Sequence, residues 1–260
     1  MLPSFLGLPH RPPKPRAVGV THVLDKGLSI HETHALVDQA GHAVDIVKVG
    51  WGIGYVDPNV RERSSIYTRA GIDVCLGGTL LEVAAARGKI GPFHAWALEI
   101  GVTMIEVSNG LGLLSREAKT GLISRLGRDF LVAAEVGSKD PASLVVAGEW
   151  AEEMESDLVA GATWVVAEGR ESGTVGLYQS DGRIRDEVVD ALLERIPLDR
   201  VIFEAPNKSQ QSWFIQSLGA DVNLGNIPSD EVLPLETLRL GLRADTSWMA
   251  VAPRSVGASS

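Results

Sequence analysis

Eight short, almost unbroken apolar runs divide the chain at intervals of one β-strand plus one helix, and this alternation constrains the fold more than any other feature. The runs are 18–24, 44–49, 72–76, 103–107, 130–136, 164–167, 201–203 and 221–224. Continuous Val/Ile/Leu segments, rather than apolar–polar alternation, suit strands covered on both faces, as in a parallel sheet. The stretches between them carry helix signals. Asp57-Pro58 and Asp140-Pro141 each place a capping residue before a proline suited to the first helical position. Gly41, Gly71, Gly101, Gly161 and Gly219 each follow a helical stretch, where a left-handed cap fits. Eight strands each followed by a helix predict a single-domain α/β fold, the (β/α)₈ TIM barrel, with an open doubly wound sheet as the alternative. The expected organisation is a Pro/Arg-rich arm over 1–16, a barrel over 17–247 and a loose tail over 248–260.

Composition narrows the function classes. The chain has 260 residues, 45% of them hydrophobic, which is enough for one large core. Its net charge of −9 argues against a nucleic-acid partner, because neutralising phosphates needs a basic face. One cysteine, Cys75, allows no internal disulfide and no cysteine metal cage. With no apolar run long enough to span a bilayer and no secretory signal in the first residues, the expected setting is cytoplasmic, without membrane association.

Chemistry is concentrated where the strands end. Glu106, Glu135, Glu168 and Glu204 each follow an apolar run, spaced 29, 33 and 36 residues apart, one strand–helix unit each time. In a barrel that position is the C-terminal rim, where active sites are built. Lys26, Lys48, Lys139, Arg170 and Lys208 fall at comparable places. Glutamates crowded at one rim repel each other and lose hydration, so cations must sit among them. Lysine and arginine supply part of that charge. A divalent metal is the natural remainder, and oxygen-only donors favour Mg²⁺ or Mn²⁺ over Zn²⁺. The competing reading, four buried ion pairs that only set the barrel's register, is weakened by the series.

Other features are weaker. Gly77-Gly78-Thr79 opens a helix and is either an anion-binding turn or a plain tight turn. The loop 169–176 reads as a flap or as an ordinary surface loop. His31 and His34 lack a Glu-x-x-His partner and read as a solvated helix face. Trp150, Trp213 and Trp248 read as packing residues. The apolar face of 213–218 serves either a homo-oligomer contact or the barrel itself.

Read together, the strand ends resemble one family, phosphosulfolactate synthase. The resemblance is carried by Asp25-Lys26-Gly27-Leu28, Lys48-Val49-Gly50-Trp51-Gly52, Gly77-Gly78-Thr79-Leu80-Leu81-Glu82, Glu106-Val107-Ser108 and Glu135-Val136-Gly137. It continues through Glu168-Gly169-Arg170-Glu171-Ser172-Gly173, Phe203-Glu204-Ala205-Pro206-Asn207-Lys208-Ser209-Gln210-Gln211, Val222-Asn223-Leu224-Gly225-Asn226-Ile227 and the stretch 235–243. It implies a barrel enzyme that adds sulfite to phosphoenolpyruvate with Mg²⁺, giving (2R)-phospho-3-sulfolactate. On that basis Glu135, Glu168 and Glu204 are the expected metal holders. Lys26, Arg170, Lys208 and Asn226 are the expected substrate-binding residues. Lys139 is the expected proton donor, with Lys48 second. Ser138-Lys139 stands here where family members can carry two adjacent lysines, and Asn109 stands where aspartate is found. These departures leave a different nucleophile as one alternative. A stress-related interaction protein on the same scaffold is the other.

Overall fold

The computed structural model describes residues 5–8, 11–137 and 144–251. Its strands are β1 (Thr21–Asp25), β2 (Ile46–Val49), β3 (Asp73–Gly77), β4 (Met104–Val107), β5 (Leu131–Val136), β6 (Trp164–Ala167), β7 (Val201–Glu204) and β8 (Asn223–Pro228). All are parallel, each pairs with the next, and β8 pairs with β1, so the sheet is a closed barrel. Closure excludes the open doubly wound sheet. The helices are α1 (Ile30–Ala40), α2 (Ile53–Val56), α3 (Val60–Arg69), α4 (Thr79–Ala86), α5 (Ile90–Glu99), α6 (Arg116–Leu126), α7 (Ala147–Val159), α8 (Asp186–Leu193), α9 (Lys208–Leu218), α10 (Val232–Arg239) and α11 (Trp248–Val251). None of them is long and apolar enough to cross a membrane.

Strand periodicity explains where the chemistry sits. Ile46, Cys75, Met104, Ala133, Val166 and Ile202 join Val20 in a buried cluster inside the barrel. Two residues further along each of those six strands the same face carries Lys48, Gly77, Glu106, Glu135, Glu168 and Glu204. The barrel interior therefore changes from apolar to charged within one layer. The intervening residues Val47, Leu76, Ile105, Ala134, Ala167 and Phe203 face the helices and belong to the larger core. Each fully buried aliphatic side chain contributes about 1.5–3 kcal/mol, so this shell can offset a costly polar ring at one end.

Local signals held in part. Ser29 and Asn207 close capping boxes with Glu32 and Gln210 at the starts of α1 and α9. Asp57 does not cap a helix at Pro58: α3 begins at Val60 after Asn59, and the Asp57 carboxylate takes the Asn59 N–H and pairs with Arg63. The Asp140-Pro141 signal lies outside the described residues. Gly41 stays right-handed, with φ −57°, because α1 closes there through its N–H to the Val37 carbonyl, whose oxygen lies where a Cβ would go. Trp150 and Trp213 pack as expected, whereas Trp248 is exposed. Phe214 and Ile215, from the apolar face of 213–218, are buried in the barrel's own core.

Residues 11–16 pack against the barrel's N-terminal end. Arg11 grips Glu236 and the Gly19 carbonyl, Lys14 donates to the carbonyls of Gly41 and Val44, and Arg16 pairs with Asp45.

Candidate active site

Lys48, on β2, is the hub of the C-terminal rim. Its Nζ lies 2.7 Å from Glu106 Oε2 and 3.4 Å from both Glu135 Oε2 and Glu204 Oε1. These carboxylates come from β4, β5 and β7, and Glu168, one residue past β6, completes the ring. The ring lines a cleft together with Trp51, Gly77, Gly78, Thr79, Arg170, Glu171 and Asn226.

The surrounding shell holds the ring in place. Glu204 Oε2 accepts the backbone N–H groups of both Gly169 and Arg170 at 2.9 Å, and the Tyr178 hydroxyl donates to the Glu204 carbonyl. With Asn207 and Gln210 bonded to the carbonyls of Ser172 and Gly173, the loop 169–176 is tied to β7 and α9, not set as a free flap. Behind β5, the buried ammonium of Lys119 donates to the Glu135 carbonyl at 2.9 Å while paired with Glu153 and Asp157. Gly77, with φ +144°, lets β3 run against β4: a Cβ there would lie 2.2 Å from the Glu106 carbonyl oxygen.

The ring is under-compensated. Burial, then the neighbouring glutamates, push the Glu106 carboxyl up to about 8 against the pull of Lys48. Burial and then Glu135 raise Glu168 well above the carboxylate range. Glu204 is raised by burial too, less so because Lys48 opposes it. Burial alone would lower Lys48, but the summed attraction of Glu106, Glu135 and Glu204 outweighs it and holds the ammonium well above its ordinary value. Beneath the ring, burial and then Lys48 push His22 down to about 3, so that imidazole is neutral.

Glu106 Oε1 and Glu168 Oε2 are buried without a hydrogen-bond partner among the described residues, as is Asn226 Oδ1. Orphaned, oxygen-only acceptors with raised pKa values fit a hard cation, which would displace protons from them. Among the described residues no three His, Cys, Asp or Glu side chains form a ready-made metal cage. Such oxygens would suit a cation that takes one or two carboxylates and completes its shell with water and substrate oxygens, as Mg²⁺ does.

The residues singled out from sequence divide accordingly. Glu135, Glu168, Glu204, Lys48, Arg170 and Asn226 meet at one cleft. Lys26 is exposed beside Pro228 and Asp230 in a neighbouring depression, because Asp25 turns inward to Arg63, Tyr67 and the N–H groups of Gly27 and Leu28. Lys208 is half-exposed at the start of α9 and pairs with Asp245 at 2.6 Å. Neither lines the cleft. Lys139 lies outside the described residues. His31 and His34 are exposed on α1. Glu106 belongs to the ring as well, beside the three glutamates expected to hold a metal. Its place in the strand-end series was the signal. Trp51 was carried only by the resemblance, and its flanking glycines were the signal.

Comparison with known proteins follows the same direction. The family model for (2R)-phospho-3-sulfolactate synthase (ComA) matches residues 9–245. The phosphosulfolactate synthase of Bacillus subtilis (strain 168) is 40% identical over 247 residues, covering 94% of this chain and 98% of that protein. That of Methanocaldococcus jannaschii is 40% identical over 234 residues, covering 88% and 93%. Among solved structures, 3-hexulose-6-phosphate synthase from Salmonella typhimurium superposes with a TM-score of 0.55 at 16% identity, covering 85% of this chain and 99% of that one, a likeness of fold alone.

Proposed function

The chain belongs to the (2R)-phospho-3-sulfolactate synthase family, and from that premise we propose that it is a lyase joining sulfite to C3 of phosphoenolpyruvate, with Mg²⁺ at the rim carboxylates. The observation that carries the reading is the ring itself, in which one lysine faces four buried glutamates. Its relatives are enzymes, and a binding scaffold gains nothing from so costly a charge cluster, so the interaction-protein alternative is set aside.

In the proposed reaction the sulfite sulfur lone pair forms the S–C3 bond, the C2–C3 π pair moves onto C2 and its carboxylate, and C2 then takes a proton. Bound Mg²⁺ would supply fixed positive charge at the substrate carboxylate, where negative charge accumulates. Glu135 and Glu168 would hold it, with Glu204 contributing the oxygen that faces Lys48. The remaining Glu204 oxygen fixes the backbone of Arg170, which would hold an anionic group of the substrate alongside Asn226. Lys48 suits the role of permanent counter-charge rather than acid, because an ammonium held by three carboxylates releases its proton reluctantly. Proton delivery to C2 is therefore assigned to Lys139. Lys26 and Lys208, outside the cleft, would draw anions toward the rim.

Purified protein incubated with phosphoenolpyruvate, sulfite and Mg²⁺, with and without EDTA, and followed by phosphorus NMR and mass detection, tests this reading. The expected result is phosphosulfolactate that disappears with EDTA. Phosphoenolpyruvate that binds but gives no product would point to another nucleophile, and no binding would overturn the substrate assignment.

A further inference from the structure

Three non-glycine residues among those described have positive φ: Trp51 at 50°, Arg170 at 54° and Asn226 at 53°. They come from three separate segments, after β2, after β6 and within β8, yet all three line the one cleft. Strained backbone gathered around a single cavity is held there by the surrounding structure and marks groups that must be aimed. Asparagine tolerates this conformation, and Arg170 is held in it by the Glu204 carboxylate. A bulky tryptophan is the outlier.

The turn that holds Trp51 is well defined. The Gly50 N–H donates to the Asp25 carbonyl at 3.0 Å, and the Ile53 N–H donates back to the Gly50 carbonyl at 3.1 Å. Positive φ at Trp51 followed by φ −107°, ψ 17° at Gly52 is the signature of a type II′ turn. The first central position of that turn ordinarily belongs to glycine. Here the tryptophan occupies it, with a glycine on either side. A turn needing only to turn would carry glycine at this position, and a packing tryptophan would be buried. Trp51 is 46% exposed. Neither folding nor packing accounts for the indole, whereas its place on the cleft wall does.

We infer that Trp51 is a ligand-contacting, specificity-determining residue, its indole forming a wall that confines a small anion and excludes water, and that the left-handed turn is maintained for that contact. An indole offers apolar area and a positive ring edge with an N–H donor, so its edge suits an anion where an aliphatic wall would not. The inference rests on reading the cleft as the substrate site. It does not depend on sulfite and phosphoenolpyruvate being the substrates.

The test compares Trp51→Ala, Trp51→Gly and Trp51→Phe by calorimetric binding of phosphosulfolactate, the product the family is named for, and by thermal unfolding. Alanine and glycine both remove the indole, but only glycine relieves the positive φ. Both are expected to raise the Kd for phosphosulfolactate by about tenfold or more, while phenylalanine stays within about threefold. Trp51→Gly should melt about 2–4 °C above Trp51→Ala. An unchanged Kd in Trp51→Ala would overturn the contact, and a glycine variant no more stable than the alanine variant would overturn the strain. Wild-type turnover of phosphoenolpyruvate and sulfite, measured alongside, judges the proposed reaction separately.

Discussion

At the N-terminal end of the barrel, the buried guanidinium of Arg239 donates to the carbonyls of Ala220, Val222 and Val20, and Arg11 grips Glu236 from the other side. At the C-terminal end, Lys48 stands among Glu106, Glu135 and Glu204, with Glu168 adjoining and carboxyl oxygens of Glu106 and Glu168 left without hydrogen-bond partners among the described residues. Both ends bury charge. At the floor, cations meet backbone carbonyls and the carboxylates of Glu236 and Asp45 within the fold itself, although the buried Arg239 Nε has no hydrogen-bond partner among the described residues. At the rim, four carboxylates gather around Lys48 with Arg170 on the cleft wall, and carboxyl oxygens remain that a bound cation would engage. Charge matched within the fold acts on stability, and charge left unmatched is available for ligands.

The largest effect should come from Lys48→Met. With the ring's central cation removed, kcat/KM is expected to fall by about 10³-fold or more, the scale of losing a fixed electrostatic partner in a water-excluded site. Near-wild-type turnover would place the chemistry elsewhere. Arg239→Met should do the reverse at the floor. The carbonyls of Ala220, Val222 and Val20 each lose a donor, stability is expected to drop by about 3 kcal/mol in denaturant unfolding, and kcat should stay within about twofold of wild type. A stable but inactive Arg239→Met would erase the distinction between the two ends.

A smaller effect is set by pH. The Glu106 carboxyl, with its pKa raised to about 8, holds its proton more tightly in the folded chain than in the unfolded one. Its stabilising contribution is therefore complete below the unfolded value of 4.5 and is lost as pH climbs through about 8, and the raised Glu168 and Glu204 act in the same direction. Metal-free protein should lose several degrees of Tm between roughly pH 7 and pH 8.5, above the range in which the neutral His22 adds stability with rising pH, on the order of 1–2 kcal/mol. Mg²⁺ should restore that loss at the alkaline end and release protons on binding near pH 7, measurable by calorimetry in two buffers. A flat profile would mean that the ring is already neutralised from within.

Much of this was legible in the sequence because strand periodicity is a local property. Met104 and Glu106, Ala133 and Glu135, Val166 and Glu168, and Ile202 and Glu204 each stand two residues apart, so an apolar strand with a charged end announces a barrel whose inner face turns polar at one rim. Lys48 obeys the same rule after Ile46. What escaped was decided by partners distant in sequence. Asp57 was drawn from its capping role by Arg63, and Lys208 was drawn from the cleft by Asp245. Lys26 follows a strand as Glu168 does, but the inward turn belongs to its neighbour Asp25. Positive φ at Trp51 depends on bonds to the end of β1, which no reading of Gly50-Trp51-Gly52 alone supplies.

The central claim, that the rim is charged for function and not for folding, is tested most directly by measuring Tm and kcat/KM together on Glu168→Gln. The substitution keeps the shape of a buried side chain while removing one of the crowded acids. Unchanged or higher Tm, with kcat/KM lowered about 10³-fold, is the result expected of an active-site carboxylate. A variant that melts several degrees lower yet turns over normally would show instead that the ring is a structural ion-pair network.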